Sequence, residues 1–566
     1  MTYEKIIGLE GFGRDRETAR RADLKIFLCC LLINTLLFFG LLTTQALLFR
    51  DDVSRSSLGY SKWASLGRPL ADLFLAVIQL GTPLVNLFPL PEIIALVIIS
   101  YTCLYLARSY SIRSPFFAAV CTLPLAGQPY FLQNMSYSFD APFMALTLSF
   151  SVFAAIVLAR RRKYGVEISG LLLFAVLNLY QPAVGAFFVT YMFFLIKDVN
   201  TGAGPLKYLL SRLGRLTLSS CLAFLPYIPV ALMFVKGKYG LEHAGLLGPR
   251  EFDGVFENTG RYIMAIASSW YGNIMGYIFG SIFLLSLIIS VMRVTGKSSA
   301  GNSAGRTVIY ALMSLAFGAS AIILSFFPQM FLADPIIQAR VFIGVGAILS
   351  CSCLLVYSHL DSGSSSPGKY RRYAAAALLC IAAYSLIVFA YAYSRAYWAQ
   401  QKYEGVVIGG LLADMDRLTA NKNITRLAIT GNVGRSPLVE NTGRKYPLIP
   451  EMVEDWNYWG LLAIGGHSLD RLDLTTPDDL YHLQSAVFHE VTLGQRETLG
   501  IIKDLRPVIH RPRYEIYLDG NLMLIRFLPL ANPYSDYRSG LAAGAKQIFI
   551  RLAGRKRFDR FFHAGH

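Results

Sequence analysis

The chain has 566 residues, of which 54% are hydrophobic, 13% aromatic and only 16% charged, against about 25% charged in an ordinary soluble domain. That balance excludes a soluble, disordered or collagen-like protein. With 53 Lys and Arg against 36 Asp and Glu the net charge is +17, but the cations are scattered between apolar runs rather than gathered on one face, so they read as membrane orientation signals and not as a nucleic-acid surface.

The charged start (Arg14, Arg16, Arg20, Arg21, Lys25) runs into the apolar stretch Leu24 to Phe49 with no small-residue cleavage site. The stretch therefore reads as a retained anchor, with residues 1–23 a cytoplasmic segment. After it comes the polar stretch 50–69, and then Leu70 to Phe88, interrupted by Asp72, Gly81, Pro83 and Asn86, which suits helices lying at the interface. Pro91 to Ala107 returns to the cytoplasm at Arg108 and Arg113, and Pro115 to Ala126 crosses outward to GQPYFLQNMSYSFDAP at 127–142. Met144 to Ala159 ends on Arg160, Arg161, Arg162 and Lys163, the strongest inside signal in the chain. The pieces 167–179 and 183–196 flank Tyr180, Gln181 and Pro182 and read either as two tilted spans or as one re-entrant hairpin.

Further spans follow near 216–235, 272–292, 307–327, 341–357 and 374–393, separated by Gly/Ser-rich connectors at 293–306 and 358–372. The expectation is a polytopic α-helical membrane protein of about 9–11 transmembrane helices, with a body at 24–395 and exoplasmic loops at 50–90, 127–142, 236–271 and 328–340. All eight cysteines fall in apolar segments, as packing residues do.

From about residue 396 the composition turns polar. RLAITG at 426–431 reads as a strand, and YEIYLDGNLMLIRFL at 514–528 as a hairpin turning at Asp519, Gly520 and Asn521. A small C-terminal α+β exoplasmic domain over 396–535 is expected. Residues 536–566 read either as a basic amphipathic tail or as a disordered one.

The chemistry-bearing residues gather in the expected exoplasmic loops. Asp51 and Asp52 stand where the first span leaves the membrane, followed by Arg55, Tyr60, Trp63 and Arg68. Adjacent carboxylates beside lipid are costly without a role, although such a pair can also mark the end of a span. Asp140 opens a later span, as a helix cap or as a partner of the first pair. Lys236, Arg261 and Arg340 supply positive charge on the same side, suited to a lipid-linked phosphate or to snorkelling at the interface.

The order DDxxR, GYxxW and GRPL between Asp51 and Leu70, then NMSYSFD from Asn134 to Asp140, then LNLYQPAV at 177–184, resembles the bacterial serotype-converting O-antigen glucosyltransferases of the Gtr type II family. The likeness extends to TGNVGRSPLVEN and KYPLIPEMV in the tail. It implies a GT-C-like enzyme of the bacterial inner membrane, multi-pass, with its C-terminal domain periplasmic. It further implies a sugar donor on undecaprenyl phosphate, an O-antigen or other envelope polysaccharide as acceptor, contact with membrane lipid, and a separate donor synthase and flippase. By motif the catalytic residues are Asp51 or Asp52, and Asp140. Arg55, Tyr60, Trp63, Arg68, Asn134, Tyr137, Lys236, Arg261 and Arg340 are then substrate-binding candidates, with a divalent cation held by loop carboxylates as an alternative to fixed positive charge. A lipid-linked sugar flippase or polysaccharide transporter is the competing class; it would be expected to carry ionisable residues at mid-span or repeated halves, and the strongest acidic cluster lies at an interface instead.

Overall fold

The computed structural model describes residues 16–44, 48–201, 206–248, 250–251, 253–270, 272–298, 304–361, 369–420, 424, 426–453 and 495–528. Among these, eight helices are long and apolar enough to cross a membrane, within Glu17–Thr43, Leu90–Ser109, Ala141–Ala159, Gln181–Thr201, Lys207–Phe234, Ile274–Thr295, Thr307–Leu324 and Arg372–Thr419. Four shorter apolar helices join them, Pro69–Ile78, Pro115–Gly127, Gly165–Leu179 and Ile343–His359. Helices are the expected outcome, because a chain in hydrocarbon must satisfy its backbone N–H and C=O groups within the segment. The protein is a polytopic helical membrane protein. The basic tail expected at 536–566 lies outside the described residues.

Pro69–Ile78 is ten residues long, about 15 Å at 1.5 Å per residue, too short to cross and consistent with an interfacial helix. The segment 167–196 forms two helices, Gly165–Leu179 and Val184–Thr201, joined by the single turn Gln181–Ala183. The stretch 127–142, expected as an exoplasmic loop, is largely helical and buried. It folds as Pro124–Gly127 and Pro129–Met135 before Ala141–Ala159 begins, and each of its residues is buried. A proline in each first turn starts a helix and blocks continuation of the one before, while the Gln128 side chain accepts from Tyr130 N at 3.0 Å. Its polar side chains point into the protein.

The last span, expected near 374–393, lies within one continuous helix, Lys369–Thr419, of 51 residues. It carries the chain from the apolar body into a four-stranded sheet of order β1-β4-β3-β2, with β1 Arg426–Thr430, β2 Ile509–His510, β3 Tyr514–Asp519 and β4 Leu522–Phe527. β1 runs parallel to β4, and the remaining pairs are antiparallel. Gly520 adopts φ +58° in the β3–β4 turn, the left-handed conformation that such turns demand. Asp414 ties helix to hairpin, accepting from Arg511 at 2.8 and 2.9 Å and from the Tyr514 hydroxyl at 2.8 Å.

Helices in the body approach closely through glycine. A Cβ at Gly185 would lie 2.3 Å from the Ser325 carbonyl oxygen, and one at Gly346 2.3 Å from that of Leu125. Backbone cannot yield as a side chain does, so Gly185→Ala and Gly346→Ala should each destabilise by about 1–3 kcal/mol. Thermal unfolding in detergent is expected to show both below wild type, with Gly280→Ala, which has nothing within 4 Å of its Cβ, unchanged. Equal melting temperatures for all three would contradict the packing.

Candidate functional site

The site lies at the end of the body where the helix Arg16–Thr44 finishes and Ala141–Ala159 begins. The helix Asp51–Leu58 carries the acid pair. Consecutive residues on a helix point about 100° apart, and here one carboxylate faces inward and the other outward. Asp52 is fully buried, while the Asp51 side chain is 54% exposed.

Asp52 Oδ2 accepts from Ser138 N at 2.6 Å, in the NMSYSFD segment. Its Oδ1 is buried without a hydrogen-bond partner, as is Oδ1 of Asp140. Both face one guanidinium: Arg55 Nη1 is 4.0 Å from Asp52 Oδ1 and 3.6 Å from Asp140 Oδ1, and Arg55 Nη2 is 3.6 Å from Asp51 Oδ2. The Arg55 guanidinium rests on the Trp63 ring, 4.2 Å from its centroid. Trp63 is buried beneath it and packs edge-on against Phe143.

Burial, with Asp140 beside it, pushes the Asp52 carboxyl well above the usual carboxylate range, against the opposing pull of Arg55. Burial raises Asp140 as well, with Arg55 again opposing. Leaving buried polar atoms unsatisfied costs about 1–3 kcal/mol each, and here two such oxygens turn towards one cation.

A second group of cations lies alongside. Arg340 Nη1 donates to the Tyr137 hydroxyl at 2.9 Å, and Arg50 Nη1 approaches the same oxygen at 3.4 Å. The Arg340 backbone is clamped on three sides: its N donates to Gln133 Oε1 at 2.8 Å, and its carbonyl accepts from Asn134 Nδ2 at 3.1 Å and from the Tyr180 hydroxyl at 3.2 Å. Arg68 lies over the Tyr180 ring at 4.6 Å and donates to Gln181 Oε1 at 3.0 Å. Both Arg68 and Arg340 exert an electrostatic pull on Asp140. The GRPL turn sets Arg68: Gly67 adopts φ +74°, and a Cβ there would meet the Tyr227 hydroxyl at 2.7 Å. Asp72 fixes the same loop by accepting from Trp63 N and Ala64 N at 3.0 and 2.7 Å.

The structure thus brings together Asp51, Asp52, Arg55, Trp63, Arg68, Asn134, Tyr137, Asp140 and Arg340, with Tyr60 half-buried and in electrostatic contact with Arg55. Lys236 and Arg261 stand apart from this cluster with exposed side chains; Lys236 touches it through its backbone, whose N–H donates to the Ser65 carbonyl. Arg50, Tyr180, Gln181 and the buried Glu92 belong to the surroundings but were not among the expected site residues. Tyr180 and Gln181 stood in the LNLYQPAV motif, whereas Glu92 gave no sequence signal beyond an acid at a helix start.

A divalent cation does not fit between these carboxylates, because their open oxygens face the Arg55 guanidinium. Among the described residues no group of three or more His, Cys, Asp and Glu side chains is placed to hold a metal.

The tail reaches the site as well. Across Pro437–Lys445, Ile449–Met452 and the turn between them, Val439, Tyr446, Ile449 and Met452 are buried in the core of the body. Gln133 Nε2 donates to the Met452 carbonyl at 3.5 Å, so one side chain joins the tail to the backbone of Arg340.

Fold and site together define a polytopic membrane protein with a buried cluster of carboxylates and guanidinium groups at one face. The sequence profile of the Glucosyl transferase GtrII family matches residues 40–351, more than half the chain and including the whole cluster. The protein belongs to this family and is a membrane glycosyltransferase. A protein of Salmonella phage P22, described as an uncharacterized 55.3 kDa protein in the gtrB 5′ region, is 26% identical over 449 residues, covering 77% of this chain and 88% of that protein. No solved structure matches.

Proposed function

We propose that the enzyme transfers a glucosyl residue from undecaprenyl phosphate to the O-antigen of lipopolysaccharide at the periplasmic face of the bacterial inner membrane. The observation that carries the reading is the pairing of buried carboxylates, with oxygens open, and fixed guanidinium groups beside them. In the reaction the acceptor hydroxyl oxygen attacks the anomeric carbon, and the bond from that carbon to the phosphate oxygen breaks. The lipid phosphate leaves with the bonding electrons, and the hydroxyl proton passes to a carboxylate. Asp52 is the base: it is buried, held by Ser138 N–H, and keeps one oxygen free of hydrogen bonds. Asp140 supports positive character at the anomeric carbon, and Asp51, largely exposed, lies at the approach to the site. Arg68 and Arg340 receive the phosphate, since guanidinium donors pair with phosphate oxygens and stabilise charge developing on the leaving group.

The orientation follows from the cations at the far end, where Ala141–Ala159 gives way to Arg160, Arg161, Arg162 and Lys163. The positive-inside rule reads that end as cytoplasmic, which supports a periplasmic site and a periplasmic C-terminal sheet. The donor would be made by a separate synthase and brought across by a flippase.

The test is transfer of radiolabelled glucose from undecaprenyl-phosphate glucose to lipopolysaccharide in membranes containing the protein. Label should enter lipopolysaccharide. Arg340→Ala and Arg68→Ala should each reduce kcat/KM for the donor by about 10- to 100-fold, with kcat lowered and KM raised because the phosphate is held before and during transfer. No transfer by wild type from this donor would overturn the donor assignment.

A further inference from the structure

Tyr180 closes the helix Gly165–Leu179 and leads into the single turn Gln181–Ala183, and its backbone is held on both sides of that bend. Its N–H donates to the Val176 carbonyl at 2.8 Å, and its own carbonyl accepts from Ala183 N at 3.2 Å. The side chain is buried and meets two arginines with different parts. Its ring carries the Arg68 guanidinium, 4.6 Å from Cζ to the centroid, and its hydroxyl donates to the Arg340 carbonyl at 3.2 Å. A buried tyrosine hydroxyl needs a partner, and here that partner is the backbone of an arginine far along the chain from the one on the ring. Gln181, the next residue, accepts from Arg68 Nε at 3.0 Å through Oε1, while its Nε2 donates to the Tyr227 hydroxyl at 2.7 Å and Tyr227 donates to the Gly67 carbonyl at 3.0 Å. With its face on a ring and its Nε edge on an amide, Arg68 has its pair of terminal nitrogens left to meet an anion.

We propose that Tyr180 is a positioning residue that sets the two phosphate-binding arginines relative to each other, its ring fixing Arg68 and its hydroxyl fixing Arg340. The inference rests on the assignment of Arg68 and Arg340 to the lipid phosphate. The two come from separate loops: Arg68 precedes the helix Pro69–Ile78, and Arg340 sits in the turn Ala339–Val341. A phosphate gripped from two directions needs the spacing of the grips fixed before the leaving group gathers charge. One side chain touching both, on a backbone tied at both ends, supplies that spacing.

The experiment is a set of double-mutant cycles on donor kcat/KM for glucose transfer, in membranes at matched protein levels. Tyr180→Phe keeps the ring and loses the hydroxyl, and should lower kcat/KM by about 5- to 10-fold. That loss should vanish, to within about twofold, when Arg340 is already Ala, and persist in full when Arg68 is Ala instead. Tyr180→Leu loses the ring as well and should fall about tenfold below Tyr180→Phe, a further loss that should vanish in the Arg68→Ala background. A residue that only fills space would cost the same in every background. Losses that multiply with both arginine changes, or a Tyr180→Phe enzyme equal to wild type, would overturn the positioning role, and the Phe cycle decides the matter if Tyr180→Leu does not accumulate. Arg68→Ala and Arg340→Ala measured alone separate the two readings. If both keep the wild-type kcat/KM for the donor, the phosphate assignment falls and the inference with it. If both lose it while Tyr180 acts independently of them, only the positioning role falls.

Discussion

Asp52→Asn is expected to abolish measurable glucose transfer, with a loss on the order of 1,000-fold or more, at the upper end of what general base catalysis supplies. Asn is close in size to Asp, and its side-chain oxygen can still accept from Ser138 N–H, so the fold and the local geometry should persist while the proton acceptor is lost. Asp51→Asn should retain activity within about tenfold of wild type, since a residue at the approach contributes only through charge. The contrast between adjacent residues is what gives the pair its force. Loss at Asp51 with retention at Asp52 would reverse the assignment, and retention at both would remove the acid pair from the chemistry. The measurement is initial-rate transfer at matched protein levels in membranes.

The division between the two acids was not legible in the sequence, where DD reads as one feature. It became so only when the helix Asp51–Leu58 fixed which side each residue takes. Hydrophobic runs carried the membrane helices, because a span needs length and apolarity and both are properties of the string. The hairpin was legible for a similar reason: alternation and an Asp-Gly-Asn turn are local. At 127–142, read as an exoplasmic loop, Gln128, Gln133, Asn134, Ser138 and Asp140 are buried, which their polarity does not announce. A polar stretch folded into a membrane body and one left in water have the same composition. What tells them apart is whether partners arrive from far along the chain, as the Arg340 backbone does for Gln133 and Asn134. Lys236 and Arg261 lie outside the cluster with exposed side chains, and a cation in a polar loop gives no sign in the sequence of whether its side chain turns towards a site or towards water.

Arg55→Met is expected to lower transfer by about 100-fold or more and to move the acid limb of the pH–activity profile to higher pH. Asp52 must be ionised to accept a proton, and burial already holds it well above the usual carboxylate range. Arg55 opposes that rise at Asp52 and at Asp140 alike. Removing its charge takes away the attraction while leaving the burial and the neighbouring carboxylate, so both acids stay protonated to a higher pH and the rising limb shifts upward. Arg55→Lys should keep the limb nearer its wild-type position, because a cation remains. It should still lose about tenfold in rate, since an ammonium lacks the planar face that rests on Trp63 and the geometry that lets one guanidinium address three carboxylates. Activity of the wild type should withstand a divalent-metal chelator, as the place between the carboxylates is held by the guanidinium. The profile is measured as kcat/KM against pH for the three enzymes. An acid limb that stays fixed in Arg55→Met, or that moves to lower pH, would show that Arg55 does not set the ionisation of the base.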